Sequence, residues 1–163
     1  MTGDEKWIPY NNVEQKRSWG KWNELSPTTP KAGLHPKKVM LCIWWDWKGV
    51  LHYVLLENET INSSKYCSQL DQLKVVLSEK RPELVNRKRI VFHQANARPH
   101  VSLMTRQKLL QLGWEALIHP LYSPDIAPLD FRLFRSLQNS LNGKNFNSQG
   151  CKRHLEQFFA QKD

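Results

Sequence analysis

The chain has 163 residues, of which 40% are hydrophobic and 24% are charged, so it suits one folded domain and is not of the intrinsically disordered class. Lys and Arg number 24 against 15 Asp and Glu, which gives a net charge of +9 and a pI near 9.6. This excess favours a polyanionic partner, nucleic acid before an anionic membrane, over a basic surface without a specific partner.

Cysteine usage and hydropathy narrow the class of protein further. Cys42, Cys67 and Cys151 are far apart and form no C-x-x-C pair, which indicates a reducing compartment and no thiolate zinc site. No apolar run approaches the roughly 20 residues that span a bilayer, so we expect no membrane segment. The polar start of the chain predicts no signal peptide.

The first part of the chain predicts three strands and a long loop. A short strand at residues 6–10, weakened by its proline, leads into a polar, basic loop at 11–36. Aromatic and apolar runs at 38–47 and 50–56 flank a Lys-Gly turn, which indicates a β-hairpin.

Strands and helices alternate in the second part. Ser63 or Ser64 caps a predicted helix that runs to residue 80, and a buried strand follows at 89–93. A helix at 101–112 ends at Gly113, and a last strand occupies 114–118.

Two more helices close the chain after a rigid, proline-rich loop. The first, at 129–141, carries leucines at helical spacing on one face, and the second covers 152–161. Early antiparallel strands followed by strand–helix alternation predict a mixed sheet with helices on both faces. This α/β order is typical of ribonuclease-H-like, retroviral-integrase-like domains.

A nuclease of that fold needs carboxylates that converge from separate elements to hold two Mg²⁺ or Mn²⁺ ions about 4 Å apart. Asp4 and Asp130 are candidates, although a solvated terminal acid and a helix N-terminal acid are simpler interpretations. Asp46 and Asp125 are better explained as turn residues. Spacing alone therefore selects no site.

Five ordered blocks, spread over essentially the whole chain, make a more specific signal. They are TGDEKWI at 2–8, HPKKVM at 35–40, the Trp pair at 44–45, NARPH at 96–100 and YSPDIAPLDF at 122–131. Together they resemble the catalytic domain of mariner-family DNA transposases. The resemblance implies a ribonuclease-H-like fold and metal-dependent cutting and joining of DNA at transposon ends.

The resemblance also exposes an altered site. It implies that Asp4 and Asp130 are catalytic metal ligands for Mg²⁺ or Mn²⁺, whereas Ala95 stands where the family has its second aspartate. A methyl group cannot coordinate a cation, Gln94 should face the other side of the strand, and His93 prefers softer metals. We therefore expect very weak strand cleavage or none.

Other expectations concern DNA binding and assembly. The chain is predicted to be a single domain, 1–163, without the family's N-terminal helix-turn-helix region, so sequence-specific recognition should be largely lost. The loop at 11–36 resembles the family's clamp loop, which reaches a partner subunit, but a solvated loop is the alternative. Its DNA-contacting candidates are basic residues beside two tryptophans, namely Lys16, Arg17 and Lys21.

Arg98 and His100 admit two interpretations each. Either residue contacts DNA phosphate or orders the active-site loop, or else Arg98 forms a structural ion pair and His100 packs at the start of a helix.

Two functional hypotheses of different classes remain. The first is a degenerate cut-and-paste transposase core that acts on double-stranded DNA in the nucleus, as a monomer or weak homodimer. The second is a non-catalytic DNA-binding or dimerisation module of transposon origin, and a decayed product without a role is a third possibility.

Overall fold

The computed structural model describes residues 1–12, 36–86, 90–117, 119–120 and 123–161. Its centre is a five-stranded sheet in the order β3-β2-β1-β4-β5. The strands are β1 (Thr2–Pro9), β2 (Lys38–Asp46), β3 (Gly49–Glu57), β4 (Ile90–Gln94) and β5 (Trp114–Leu117). The first three pair antiparallel, whereas β4 runs parallel to both β1 and β5, so the predicted mixed sheet is confirmed.

The central strand begins earlier than its sequence suggests. We predicted a strand only from residue 6, with Asp4 ahead of it, but β1 starts at Thr2 and Asp4 lies inside it. The residues after Met1 are polar and give no strand pattern. They form a strand because their backbone pairs with β2 and β4 on either side. Gly3 fits there because a Cβ would approach Trp44 Cδ1 to 2.6 Å.

The predicted hairpin is confirmed, with β2 and β3 joined by a tight turn. Gly49 has a φ of 132°, a region that favours glycine, and it starts β3 at the turn. Asp46 Oδ1 accepts a hydrogen bond of 2.8 Å from the backbone N–H of Lys48, which is the turn-flanking role expected of that aspartate.

Six α-helices are described: α1 (Ser63–Lys80), α2 (Pro82–Val85), α3 (Arg98–Val101), α4 (Leu103–Leu112), α5 (Arg135–Leu141) and α6 (Ser148–Ala160). The cap of α1 is Asn62, whose side chain accepts from the N–H of Lys65, so the predicted Ser63 or Ser64 cap was wrong. Either residue type serves at this position, and the backbone path decides between neighbours.

The predicted helix at 101–112 is in fact two helices. Ser102 is extended, with a ψ of 154°, and its side chain caps α4 by accepting from the N–H of Thr105. Hydroxyl side chains favour such caps over helix interiors, which explains the break. Gly113 ends α4 in the left-handed conformation, with a φ of 70°, as expected.

The predicted helix at 129–141 begins with a wider turn. Residues Leu129–Phe134 form a π-helical segment that continues into α5. The final helix starts at Ser148, capped by Asn147, which is earlier than the predicted residue 152.

The sheet separates two hydrophobic cores. One face packs against α5, α6 and the π-helical segment, and Leu129, Leu133, Leu137 and Leu141 are buried there. The other face packs against α1 and α4 around Trp44, Tyr66 and Leu70. Helices thus cover both faces, and the arrangement is the predicted ribonuclease-H-like fold. Within the described residues, we find no helix with the length and apolar character needed to cross a bilayer.

Candidate active site

Three elements bring the predicted catalytic positions to one small cavity. Asp4 from β1, Ala95 after β4 and Asp130 from the π-helical segment line it together. The cavity measures about 20 Å³, close to the room that one water molecule needs. The tertiary structure therefore joins all three positions that the sequence singled out, although they are remote along the chain.

Asp4 is a half-buried carboxylate beside other acids. Burial is the main cause that raises its pKa to about 7, and the negative charges of Glu5 and Asp130 add to the shift. The backbone N–H of Glu5 donates a hydrogen bond of 2.8 Å to Asp4 Oδ1, which partly offsets these causes. A half-buried acid with a raised pKa in a cavity is a candidate functional group, because a cation would relieve the repulsion.

Asp130 enters the cavity from the first turn of the π-helical segment. Burial raises its pKa, and the positive charge of Lys6 opposes the shift. Its backbone N–H donates to Ala127 O at 3.0 Å, so the loop before it is closed by a tight turn. Short π-helical segments occur frequently at functional sites, and here the wide turn carries a cavity-lining acid.

Ala95 presents a methyl group to the cavity. The side chain of the preceding Gln94 faces the opposite side of the sheet, where it accepts from the Tyr66 hydroxyl at 2.9 Å. Gln94 is therefore unavailable as a substitute, as the strand alternation predicted. Ala95 supplies no oxygen to the cavity.

Two histidines complete the wall of the cavity. His93 Nε2 and His119 Nδ1 are 2.9 Å apart, and Thr2 Oγ1 lies 3.1 Å from His93 Nδ1. Burial lowers the pKa of His93 and so favours its neutral ring. His119 was not among the site residues predicted from the sequence. Its place just beyond a parallel strand, at the edge where such strands end together, was the available signal.

His100 is buried behind the cavity, with 1% of its surface exposed. Its Nδ1 lies 3.0 Å from the Ala95 carbonyl oxygen, and its Nε2 lies 3.0 Å from a carboxylate oxygen of Glu5. Burial lowers the pKa of His100, but the hydrogen bonds to Glu5 and Ala95 outweigh it and raise the pKa overall. The predicted contact of His100 with DNA phosphate is thus wrong for this conformation, because the ring has no free surface.

Of the other residues predicted to contact DNA, Arg98 alone is among those that the structure describes. Arg98 is exposed at the start of α3, next to the cavity-lining strand end. Lys16, Arg17 and Lys21 lie outside the described residues, as does most of the predicted loop at 11–36.

Comparison with known proteins identifies the family of this chain. A family model described as transposase (partial DDE domain) matches residues 9–87. The solved catalytic domain of Mos1 mariner transposase is 39% identical, with a TM-score of 0.80, over 99% of this chain and 70% of that one. The chain belongs to the mariner transposase family.

Two curated proteins match the chain almost end to end. Mariner Mos1 transposase of Drosophila mauritiana is 40% identical over 166 residues, and the human histone-lysine N-methyltransferase SETMAR is 43% identical over 162 residues. The matches cover 100% and 99% of this chain but only 48% and 24% of the two relatives. The chain therefore corresponds to the catalytic-domain part of mariner transposases.

The donor set of this mariner site suits a hard divalent cation only in part. Asp4 and Asp130 offer carboxylate oxygens, and Mg²⁺ is commonly held by one or two carboxylates with waters. In the part of the chain that the structure describes, no three His, Cys, Asp or Glu side chains are grouped to hold a metal ion. Of the residues that line the cavity, Asp4 and Asp130 are the two that carry a carboxylate.

Proposed function

We propose that this domain is a degenerate mariner transposase core, which binds double-stranded DNA and cleaves it very weakly or not at all. The observation that carries the proposal is the methyl group of Ala95 in the same cavity as Asp4 and Asp130. Cut-and-paste transposition by a two-metal mechanism needs ligands on both ions, because each ion stabilises one of the two oxygens exchanged at phosphorus.

Mg²⁺ or Mn²⁺ is the metal that we assign to this site. Mos1 paired-end complexes have been solved with Mn and with Mg, and the two are 40% and 41% identical to this chain. In this chain, Asp4 and Asp130 would hold the cation, which would polarise the phosphate oxygens and activate the attacking water or hydroxyl. The raised pKa of Asp4 fits this role, because cation binding favours the ionised carboxylate.

Double-stranded DNA is the proposed partner. The net charge of +9 supplies a sequence-independent attraction to phosphate, and a Mos1 paired-end complex contains the left transposon end. We assign phosphate contacts to Arg98 and to Lys16, Arg17 and Lys21 of a clamp-like loop at 11–36 that reaches a partner subunit. The corresponding assembly is a weak homodimer, and the compartment is the nucleus.

A non-catalytic DNA-binding or dimerisation module is the second candidate. Ala95 favours it directly, because the fold and the basic charge are kept while one ligand position is lost. The two candidates differ only in whether the site still supports metal-dependent cleavage.

Nicking of a supercoiled plasmid in Mg²⁺ or Mn²⁺ separates the candidates. Ala95→Asp should gain cleavage over the parent chain, and Ala95→Asp with Asp130→Asn should lose it again, while all three bind DNA with the same salt dependence. Product from the parent chain would favour residual catalysis, and binding without product would favour the module. A folded Ala95→Asp variant with no gain would contradict the assigned site.

A further inference from the structure

We propose that His100 is a positioning residue, which sets the spacing of residues 4 and 95 through buried hydrogen bonds to Glu5 and to the Ala95 carbonyl. The inference rests on the proposed function, because it concerns how two of the three metal-ligand positions are held together. His100 touches neither the cavity nor any reacting group, so its role is indirect.

A contact that joins residues 4 and 95 is needed because the backbone pairing of β1 with β4 stops before them. Strands β1 and β4 pair only through Thr2 with His93 and Gly3 with Gln94. The next positions along the two strands are Asp4 and Ala95, which the ladder does not join. The two site positions therefore lie just past the last backbone pair, where the strands are free to separate.

His100 bridges this gap from behind. One ring nitrogen meets the Ala95 carbonyl at 3.0 Å and the other meets both carboxylate oxygens of Glu5, at 3.1 and 3.0 Å. A carbonyl can only accept a hydrogen bond, so Nδ1 carries a proton and donates it to Ala95, while Nε2 faces the Glu5 carboxyl group. One ring thus joins the backbone of residue 95 to the residue after Asp4.

The surroundings hold His100 in place. Its ring packs on the Tyr66 ring, with centroids 4.3 Å apart, and its backbone carbonyl accepts from Gln94 Nε2 at 3.0 Å. Gln94 accepts in turn from the Tyr66 hydroxyl. Tyr66 thus contacts the ring directly and, through Gln94, the backbone of the same residue.

Strand alternation places this contact on the far side of the sheet from the cavity. Asp4 faces the cavity with Asp130, whereas Glu5 faces His100 and the core beneath α1. A buried ion pair is weak evidence for stability, since desolvation offsets the attraction, and specifying one geometry is its better-attested use. Partners behind metal ligands typically change metal affinity by about 10- to 100-fold when they are removed.

The first experiment needs no substitution. Nitrogen-15 NMR of the histidine-labelled parent chain should show a proton on Nδ1 of His100, as its hydrogen bond to the Ala95 carbonyl requires. His154, whose Nε2 lies 3.1 Å from the Ser140 hydroxyl, is the reference ring on α6. A His100 ring without a proton on Nδ1 would overturn the proposal whatever the fate of the metal site.

The second experiment measures Mn²⁺ affinity by electron paramagnetic resonance in the Ala95→Asp background. His100→Gln and Glu5→Gln should each weaken Mn²⁺ binding by about 10-fold or more, and the double variant should weaken it little further, because the two residues act as one unit. His154→Gln is the matched control and should leave the affinity unchanged. Two substitutions protect the test against a variant that does not fold.

The outcomes separate this inference from the proposed function. Unchanged Mn²⁺ affinity in folded His100→Gln and Glu5→Gln variants would reject the positioning role while the metal site stood. An Ala95→Asp chain that binds no Mn²⁺ would reject the metal site, and the NMR result would then still decide whether His100 is bonded to the Ala95 carbonyl.

Discussion

Asp4 and Asp130 face one cavity, and the negative charge of Asp130 adds to the burial that raises the pKa of Asp4 to about 7. Two acids held together in this way disfavour each other's charge. Their mutual repulsion destabilises the domain when no cation is bound, and a bound cation would relieve it. It therefore links the stability of the domain to pH and to metal.

Asp4→Asn should stabilise the domain at high pH. The folded pKa of about 7 exceeds the ordinary value of 3.8, so the folded state binds more protons between these limits and its stability falls as the pH rises. The raised pKa of His100 acts in the same direction, since its contribution is lost as the pH passes the folded value. We expect a gain on the order of 2 kcal/mol at pH 8 and a smaller one at pH 5.

Urea unfolding at the two pH values tests this prediction. Asn keeps an oxygen for the Glu5 N–H, so the variant changes charge more than shape. Asp71→Asn, at an exposed residue paired with Lys108, is the control for a generic loss of charge. An equal gain at pH 5 and pH 8 would contradict the electrostatic explanation.

Ala95→Asp should make the metal-free domain less stable and its stability more dependent on metal. A third carboxylate adds repulsion to Asp4 and Asp130, with an expected cost of about 1–3 kcal/mol. Mn²⁺ at 100 times its dissociation constant should raise the free energy of unfolding of this variant by about 2.7 kcal/mol. Thermal unfolding with Mn²⁺ or with a chelator measures both effects. If Mn²⁺ stabilised the parent chain as strongly as the variant, a carboxylate at residue 95 would not be needed for Mn²⁺ binding.

Gly3→Ala should destabilise the central strand. The added Cβ would lie 2.6 Å from Trp44 Cδ1 and 3.2 Å from Phe92 Cζ, and both of these side chains are buried in the core. Overpacking of this kind costs about 1–3 kcal/mol, and the adjacent Asp4 should shift with the backbone. Denaturant unfolding gives the first effect, and Mn²⁺ affinity in the Ala95→Asp background gives the second. Parent-like values in both measurements would mean that the strand yields without strain.

Asn62→Ala should weaken α1, whereas Ser64→Ala should not. The Asn62 side chain accepts the N–H of Lys65 at 2.9 Å, and loss of such a cap costs about 1 kcal/mol. Ser64 is exposed inside the first turn, where Ala is the better helix former. Equilibrium unfolding of the two variants decides which residue caps the helix, and the reverse ranking would restore the serine cap predicted from sequence.

Much of the fold was predictable because it depends on local pattern. The hairpin, α1 and the four leucines from Leu129 to Leu141 follow from hydrophobic period and turn chemistry, and the structure confirms them. The two errors arise where the local pattern misleads. The start of β1 is polar and is held by neighbouring strands, and Ser102 breaks a helical pattern because its side chain caps the following helix.

The amino-acid sequence by itself determined which chemical groups this domain has. It supplies two acids and a methyl group at the three positions that the resemblance to mariner transposases predicts for the site, because residue identity and order can be read without the fold. Only the tertiary structure decided what those groups do to one another. Asp4, Ala95 and Asp130 share a cavity, His119 joins His93, and His100 is withdrawn from solvent into an ion pair with Glu5. Burial and separation govern pKa and hydrogen bonding, and both arise from contacts between residues that are remote along the chain.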